Sequence, residues 1–116
     1  MKRGTPISYG LTENMPRDGK IAVIGLGYWD GFDRGLSSVG EVLVRGRKAK
    51  VMGRVCMNMC MIDVSDIPGV KAEDEVILIG ASGKLSVSAD DMAKKLGTIA
   101  YEVVTRINPL APRELV

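Results

Sequence analysis

Short apolar runs, each closed by glycine, proline or charged residues, divide this chain along its whole length. Short runs rich in valine and isoleucine are typical of β-strands rather than helices. Arg45-Gly46-Arg47 separates two of them and predicts a hairpin turn, because glycine readily adopts a positive φ. The segments predicted to be extended are Pro6–Tyr9, Lys20–Leu26, Gly40–Val44, Lys48–Met52, Cys56–Val64, Glu75–Gly80 and Ile99–Ile107.

One segment, at about residues 88–96, predicts a helix instead. Ser88 suits the N-cap, and Asp91 three residues later completes an acidic capping box. An apolar stripe ends at Leu96, and Gly97 suits the position just after the helix. The predicted fold class is therefore mainly β: a small closed, Greek-key-like β-barrel with one short helix, in which closure removes the exposed strand edges.

Length and charge limit the classes of function. The chain has 116 residues and a net charge of +2, which predicts one domain and argues against nucleic-acid or anionic-membrane partners. Basic residues cluster around the hairpin, but without interleaved aromatics they are interpreted as a solvated tip; they are Arg45, Arg47, Lys48 and Lys50. No apolar run approaches the roughly 18 residues that span a bilayer, and the N-terminus lacks the apolar stretch of a secretory signal. The cytoplasm is the expected compartment.

The cysteines and the missing histidines narrow the chemistry further. Cys56 and Cys60 lie four residues apart, which is not a redox or zinc-binding spacing, and they are interpreted as two small buried side chains on one side of a strand. The chain has no histidine, so serine–histidine, cysteine–histidine and histidine-based zinc catalysis are excluded within it. No metal site is predicted.

Four short motifs, in a fixed order, carry the functional information. Each is weak alone, but together they extend over nearly the whole chain from Gly4 onward. They are Ser8-Tyr9-Gly10; Gly25–Phe32 with Arg34 and Leu36-Ser37; Gly53–Met57; and Leu96–Glu102, with Arg106 and Pro112-Arg113 also fitting. In this order and spacing they resemble the C-terminal domain of the alanine racemases, which depend on pyridoxal phosphate.

The resemblance implies that residues 1–116 are the β-domain of a two-domain subunit. The N-terminal (β/α)₈ barrel, absent from this chain, would carry the lysine that holds pyridoxal 5′-phosphate as a Schiff base. The active site would lie between the barrel of one subunit and the β-domain of its partner in a homodimer. The implied reaction interconverts L- and D-alanine by two-base proton transfer, supplying D-alanine for peptidoglycan, and the isolated domain would be inactive.

The resemblance also assigns the acid–base group. Racemisation needs a proton to leave one face of the α-carbon and return on the other, and the cofactor acts as the electron sink. One base on each face is the simplest solution, with the lysine on one and a tyrosine from the partner on the other. The match carries that tyrosine onto Tyr9. A tyrosine titrates near pKa ~10 when free, so this role requires cationic or hydrogen-bonding neighbours.

Further roles follow from the same resemblance. The substrate carboxylate would meet the backbone amide of Met57, since a fixed N–H suits an anion. Tyr101 would donate to the cofactor phosphate. Asp30 would pair with one of the arginines near the site. The residues expected at the active-site entrance and around it are Tyr28, Arg34, Arg54, Cys56 and Ile99.

Two positions depart from the family pattern. Asn58 stands where the family commonly has aspartate, which removes a charge near the site. Ala100 stands where asparagine is usual. Tyr101 favours alanine over serine as substrate, because serine-racemising relatives tend to differ there.

Alternative functions remain open. One is a serine or broad-specificity racemase. Another is the β-domain of a fold-related decarboxylase acting on a basic amino acid, although such domains lack this series of motifs. A third is a non-enzymatic binding module built on a translation-factor-like barrel, which residues Val70–Val76 would fit but which explains none of the tyrosines.

Overall fold

The computed structural model describes residues 1–11 and 13–114. It contains nine strands, two α-helices and three single 3-10 turns. The strands are β1 Pro6–Ile7, β2 Glu13–Asn14, β3 Ile21–Ile24, β4 Glu41–Val44, β5 Arg47–Met52, β6 Cys60–Asp63, β7 Val76–Ile77, β8 Gly80–Ser82 and β9 Leu85–Val87. The helices are α1 Ala89–Leu96 and α2 Ala100–Thr105; the 3-10 turns are Tyr9–Leu11, Tyr28–Asp30 and Arg34–Leu36.

A five-stranded antiparallel sheet forms the body of the fold. Its strand order is β3-β6-β5-β4-β7, and the pairs β1-β2 and β8-β9 form two small ribbons. The sheet curls into a half-barrel, and no ladder joins β3 to β7 within the described residues. The predicted mainly β class is confirmed. Neither described helix is long and apolar enough to cross a membrane.

The hairpin between β4 and β5 follows the sequence prediction. Arg45 and Gly46 both have positive φ, of 50° and 75°, as a type I′ turn requires. Glu41 pairs with Lys50, and Val44 pairs with Arg47. This register places Val42 opposite Ala49, so these two buried side chains lie on the same face of the sheet.

The main core packs the sheet against the two helices, which contribute Met92, Ala93 and Val103 to it. Burial of its aliphatic side chains is the main stabilising contribution, at about 25 cal/mol per Å² of apolar surface. Its fully buried members include Leu36, Val42, Leu43, Val51, Val55, Cys60 and Ile62. A smaller cluster of Ile7, Met15 and Met52 attaches the N-terminal segment to the sheet.

The helix predicted at about 88–96 is confirmed as α1. Ser88 Oγ accepts from the Asp91 amide at 3.0 Å, and the Asp91 carboxylate accepts from the Ser88 amide at 2.9 Å. Gly97 ends the helix in the left-handed conformation, with φ of 73°. Each signal used for this prediction has its expected role.

The strand predicted over Ile99–Ile107 is wrong, because this segment contains α2. Its β-branched residues suggested a strand, yet they also repeat at helical spacing, with Val103 buried toward α1. The left-handed turn at Gly97 allows the second helix to fold back on the first. The described chain therefore has two helices rather than one.

Other strand predictions are too long. The extended segment predicted over Pro6–Tyr9 ends at Ile7, because Ser8 has a positive φ and Tyr9 begins a 3-10 turn. In Cys56–Val64, the Cys56 amide donates to the Met59 carbonyl at 2.9 Å, so a loop precedes β6. The two cysteines consequently do not share one strand face: Cys60 is buried, whereas Cys56 lies partly exposed in the loop. In Glu75–Gly80, only Val76–Ile77 is paired with the main sheet, and Gly80 already begins β8.

Candidate functional site

Tyr9 lies on a loop whose backbone is unusual on both sides of it. Ser8, Gly10 and Leu11 have positive φ values of 65°, 78° and 49°. Such conformations are costly for residues other than glycine and persist only when other contacts enforce them. Ser8 Oγ supplies one such contact by donating to the Arg54 carbonyl at 3.0 Å. The loop presents the Tyr9 ring at the surface, 49% exposed.

The first motif meets the second through a side-chain hydrogen bond. Arg34 Nε donates to Tyr9 Oη at 3.0 Å, and the guanidinium carbon lies 5.9 Å from the ring centroid. The Tyr9 hydrogen bond raises the pKa of the Arg34 guanidinium, with smaller contributions from the nearby Tyr28 and Cys56. Tyr28 and Arg34 line the same surface pocket, and Cys56 Sγ lies 3.8 Å from Ser8 Oγ, next to Tyr9 in the chain. The side chains of Tyr9, Tyr28, Arg34 and Cys56 therefore form one cluster.

The turn that carries Arg34 is fixed by its neighbours. Asp33 caps it by accepting from the Gly35 amide at 2.7 Å, and the same carboxylate pairs with Arg106 at 2.9 Å. Arg106 also binds Glu102 of α2 at 2.6 Å. Arg106 therefore connects α2, which belongs to the fourth motif, to the turn of the second motif that carries Arg34.

The third motif is bonded to the second along the backbone. The Tyr28 amide donates to the Cys56 carbonyl at 3.0 Å, and the Trp29 amide donates to the Met57 carbonyl at 3.1 Å. Gly27 is buried at this contact and has no side chain to keep the segments apart. Tyr28 is 44% exposed, close to the value for Tyr9.

The predicted pairing of Asp30 with an arginine is wrong. Its carboxylate accepts from the Gly27 amide at 3.0 Å and so caps the Tyr28–Asp30 turn. A short acidic side chain next to a glycine-rich turn is a common local acceptor. Asn108 also braces this turn, and nothing in the sequence indicated that role: its amide donates to the Asp30 carbonyl at 3.0 Å and its Nδ2 to the Trp29 carbonyl at 3.1 Å.

Met57 and the cysteines differ in accessibility. Met57 lies half-exposed in the loop, and within residues 1–11 and 13–114 no hydrogen bond uses its amide N–H. Asn58 follows it and is exposed. Burial raises the pKa of the Cys60 thiol to about 12, so Cys60 is an inert part of the core.

Glu13 holds the third motif to the sheet, a role that the sequence did not indicate. Its carboxylate accepts from the Gly53 amide at 2.7 Å, from Ser38 Oγ, and from Lys50 Nζ at 3.0 Å. The side chain is only 17% exposed. Burial alone would raise the pKa of Glu13, but these hydrogen bonds and the Lys50 charge outweigh it and hold the pKa below its ordinary value of 4.5.

We expect Glu13→Gln to lower the free energy of unfolding by about 1–3 kcal/mol at pH 7, because the charged acceptor is lost. Because the pKa of Glu13 is lower in the folded state than in the unfolded state, its carboxylate stabilises the folded protein at pH values above 4.5, the unfolded value. This stabilisation is lost as the pH falls through the folded-state pKa. Urea unfolding at pH 7 and pH 3 measures both effects. The difference in stability between wild type and variant should be smaller at pH 3 than at pH 7. Glu75→Gln, at an exposed glutamate, is the control; an equal loss there would contradict the assignment.

The remaining predicted site residues make no described hydrogen bond to Tyr9 or Arg34. Tyr101 and Ile99 are 78% and 58% exposed at the start of α2, and the described hydrogen bonds do not include the Tyr101 phenol. Ala100 is the first residue of that helix. Arg54 contributes its carbonyl to the Ser8 contact, and no described hydrogen bond uses its guanidinium. The structure thus forms one cluster from three motifs, and the fourth is linked to the second through the ion pairs of Arg106 with Glu102 and Asp33.

Comparison with known proteins gives a consistent result. A family described as alanine racemase, C-terminal domain, matches residues 1–115. The chain is 54% identical over 111 residues to an alanine racemase of Halothermothrix orenii, covering 96% of this chain and 29% of that relative. It is 49% identical over 110 residues to an alanine racemase of Desulforamulus reducens, again 29% of the relative. The chain therefore spans less than a third of the length of these relatives.

Solved structures agree with the sequences. The alanine racemase of the D-cycloserine producer Streptomyces lavendulae superposes with a TM-score of 0.89 at 34% identity, over 97% of this chain and 29% of that one. The biosynthetic alanine racemase of Pseudomonas aeruginosa gives 0.88 at 35% identity, over 98% and 31%. This chain belongs to the alanine racemase C-terminal domain family.

Proposed function

We propose that this chain supplies Tyr9 as one of the two acid–base groups of an alanine racemase, to an active site completed by another subunit. One observation carries the proposal: the Tyr9 phenol is exposed, and the only partner that its oxygen has among the described residues is the cation Arg34. A fixed cation stabilises negative charge on an adjacent oxygen, which proton transfer requires. The surrounding loops keep the phenol at the surface.

The chemistry places two demands on such a group. It must reach one face of the substrate α-carbon while a lysine on an N-terminal barrel serves the opposite face. It must also hold or release a proton without moving away. Pyridoxal phosphate, when bound, withdraws electrons from the α-carbon and makes its proton removable. Tyr9 then transfers that proton at its Oη atom.

The Met57 amide is proposed to bind the substrate carboxylate. Cys56 and Met57 both have carbonyls committed to the Tyr28–Asp30 turn, so the loop is held against that segment. The Met57 N–H has no acceptor among the described residues, and Met57 as a whole is 48% exposed. A fixed backbone donor of this kind selects an anion without needing a charged side chain.

The substrate entrance of the active site is proposed to lie on the surface that carries Tyr9. Tyr28, Arg34 and Cys56 line it around Tyr9, and the permanent charge of Arg34 favours a substrate that carries a carboxylate. Arg54 and Ile99 are assigned to its margins. This arrangement brings the amino acid past a cation before it reaches the two bases.

This chain is proposed to contribute only a small part of the cofactor-binding site. Tyr101 exposes a phenol that can donate one hydrogen bond to a phosphate oxygen. Among the described residues, the phenol offers that single contact rather than an enclosed pocket, which agrees with a cofactor held mainly by the barrel. The exposed apolar side chains of α2 beside Tyr101 are suited to cover by that barrel.

The assembly and cellular role follow from the same proposal. The proposed partners of this domain are the N-terminal barrel of its own subunit and the barrel of a second subunit, together in a homodimer. The product would be D-alanine for peptidoglycan, made in the cytoplasm, where the two free thiols would stay reduced.

A chimaera tests the proposed function. The present chain replaces the matched segment of the Halothermothrix orenii alanine racemase, and purified chimaera with pyridoxal phosphate is assayed for D-alanine from L-alanine. We expect racemisation and a cofactor absorbance band like that of the parent. Serine racemised faster than alanine would favour the broad-specificity alternative, and loss of carbon dioxide from lysine or ornithine the decarboxylase. A folded, cofactor-bound chimaera with no activity on amino acids would contradict an enzymatic role.

A further inference from the structure

Arg34 contacts the phenolic oxygen of Tyr9 from a defined side. Its Nε–H donates to Oη at 3.0 Å, and its guanidinium carbon lies 5.9 Å from the ring centroid. A phenol has one hydrogen and two lone pairs, whereas arginine offers only donors. Arg34 therefore occupies a lone pair, and the phenol hydrogen must point elsewhere. The hydrogen stays available for transfer.

The only described hydrogen bond of the Arg34 guanidinium is the one to this phenol. None of the ion pairs formed by the described residues includes Arg34. Arg106, close by, is comparably exposed but pairs with both Asp33 and Glu102. No carboxylate of the described residues therefore compensates the charge of Arg34 beside the Tyr9 oxygen.

The backbone of Arg34 is held in place independently of its side chain. Ser37 Oγ donates to the Arg34 carbonyl at 2.6 Å, and the same hydroxyl accepts from the Val55 amide at 2.9 Å. Asp33 caps the turn from the other end. The guanidinium therefore extends from a rigid base, although the side chain itself is exposed.

We propose that Arg34 is a positioning residue for proton transfer by Tyr9. Its guanidinium fixes the direction of the phenol and stabilises the negative charge that develops on the phenolic oxygen as the proton leaves. The inference rests on the proposed function and goes beyond a place at the entrance. An entrance residue would govern how the substrate arrives, whereas a positioning residue governs the chemical step.

Arg34→Met and Arg34→Lys in the chimaera separate these roles. We expect Arg34→Met to lower kcat by about 10- to 100-fold for both L- and D-alanine, because the transition state loses one charge-assisted hydrogen bond. KM should change by less than about threefold. Arg34→Lys should recover part of kcat, because an ammonium group still donates to the oxygen. With α-deuterated alanine, the isotope effect on kcat should rise in the direction in which Tyr9 removes the proton.

Arg17→Met is the matched control, since Arg17 is also an exposed arginine but pairs with Asp66. It should leave kcat and the isotope effects unchanged. The inference would be overturned if Arg34→Met raised KM alone. It would also be overturned if Arg34→Met lowered kcat, Arg34→Lys did not recover it, and the isotope effects in both directions stayed unchanged. The proposed function fails separately, if Tyr9→Phe retains full activity in both directions.

Discussion

Tyr9→Phe is expected to lower kcat of the chimaera by about 10²- to 10⁴-fold, the range that a positioned acid–base group contributes. Phenylalanine keeps the ring and its packing and removes only the oxygen. Arg34 then loses the acceptor that it now contacts at 3.0 Å. Because the ring is half-exposed, the substitution should leave the thermal midpoint nearly unchanged. Initial rates with L- and D-alanine measure the effect.

Tyr28→Phe provides the control for Tyr9→Phe. The two rings are similarly exposed, at 44% and 49%, and Tyr28 belongs to the same cluster. Tyr28 lies at the proposed entrance, so removing its oxygen should reduce kcat/KM by less than about tenfold. Equal losses of kcat for both substitutions would show that the Tyr9 oxygen has no special part in the reaction.

Gly27→Ala is expected to have the second-largest effect, on both stability and activity. A Cβ at this position would lie 1.9 Å from the Cys56 carbonyl oxygen and 2.8 Å from that of Met57. Those atoms belong to the backbone and cannot rotate away, so the two segments must separate. We expect the free energy of unfolding to fall by about 2–4 kcal/mol, and kcat/KM of the chimaera by about 10²-fold, since displacement by about 1 Å moves the Met57 amide.

The chain contains its own control for this substitution. Gly25 is exposed, and a Cβ there would have no neighbour within 4 Å. Gly27 has a φ of −156°, so its requirement for glycine is steric rather than conformational. Gly25→Ala should therefore leave kcat/KM and the urea midpoint unchanged. Indistinguishable effects of the two alanines would mean that the loops are not closely packed.

The sequence was most informative where one local cause decides the structure. The Ser88 cap, the Gly97 helix end and the Gly46 turn each depend on neighbouring residues alone, and all three are confirmed. The mainly β class follows from the repeated apolar runs. Its strand ends were less predictable, because the loop before β6 depends on a backbone bond between Cys56 and Met59.

Tertiary packing decided the parts that the sequence did not indicate. The β-branched residues near Val103 became helical because a helix buries that side chain against α1. Glu13 and Asn108 bind loops that are remote in sequence, and no local pattern signals such contacts. The motifs had already indicated that Tyr9, Tyr28 and the Cys56–Met57 loop belong to one site. The partner of the Tyr9 oxygen, Arg34, was identified only by the fold.

Hydrogen exchange at the substrate α-carbon tests the two-base role of Tyr9 most directly. Chimaera carrying Tyr9→Phe is incubated in D₂O with L-alanine or D-alanine, and NMR and chiral chromatography follow deuterium and configuration. One enantiomer should take up deuterium without inversion, because the base on its face is intact, while the other should keep its hydrogen. Both enantiomers exchanging and interconverting at the wild-type rate would contradict a proton transfer by Tyr9.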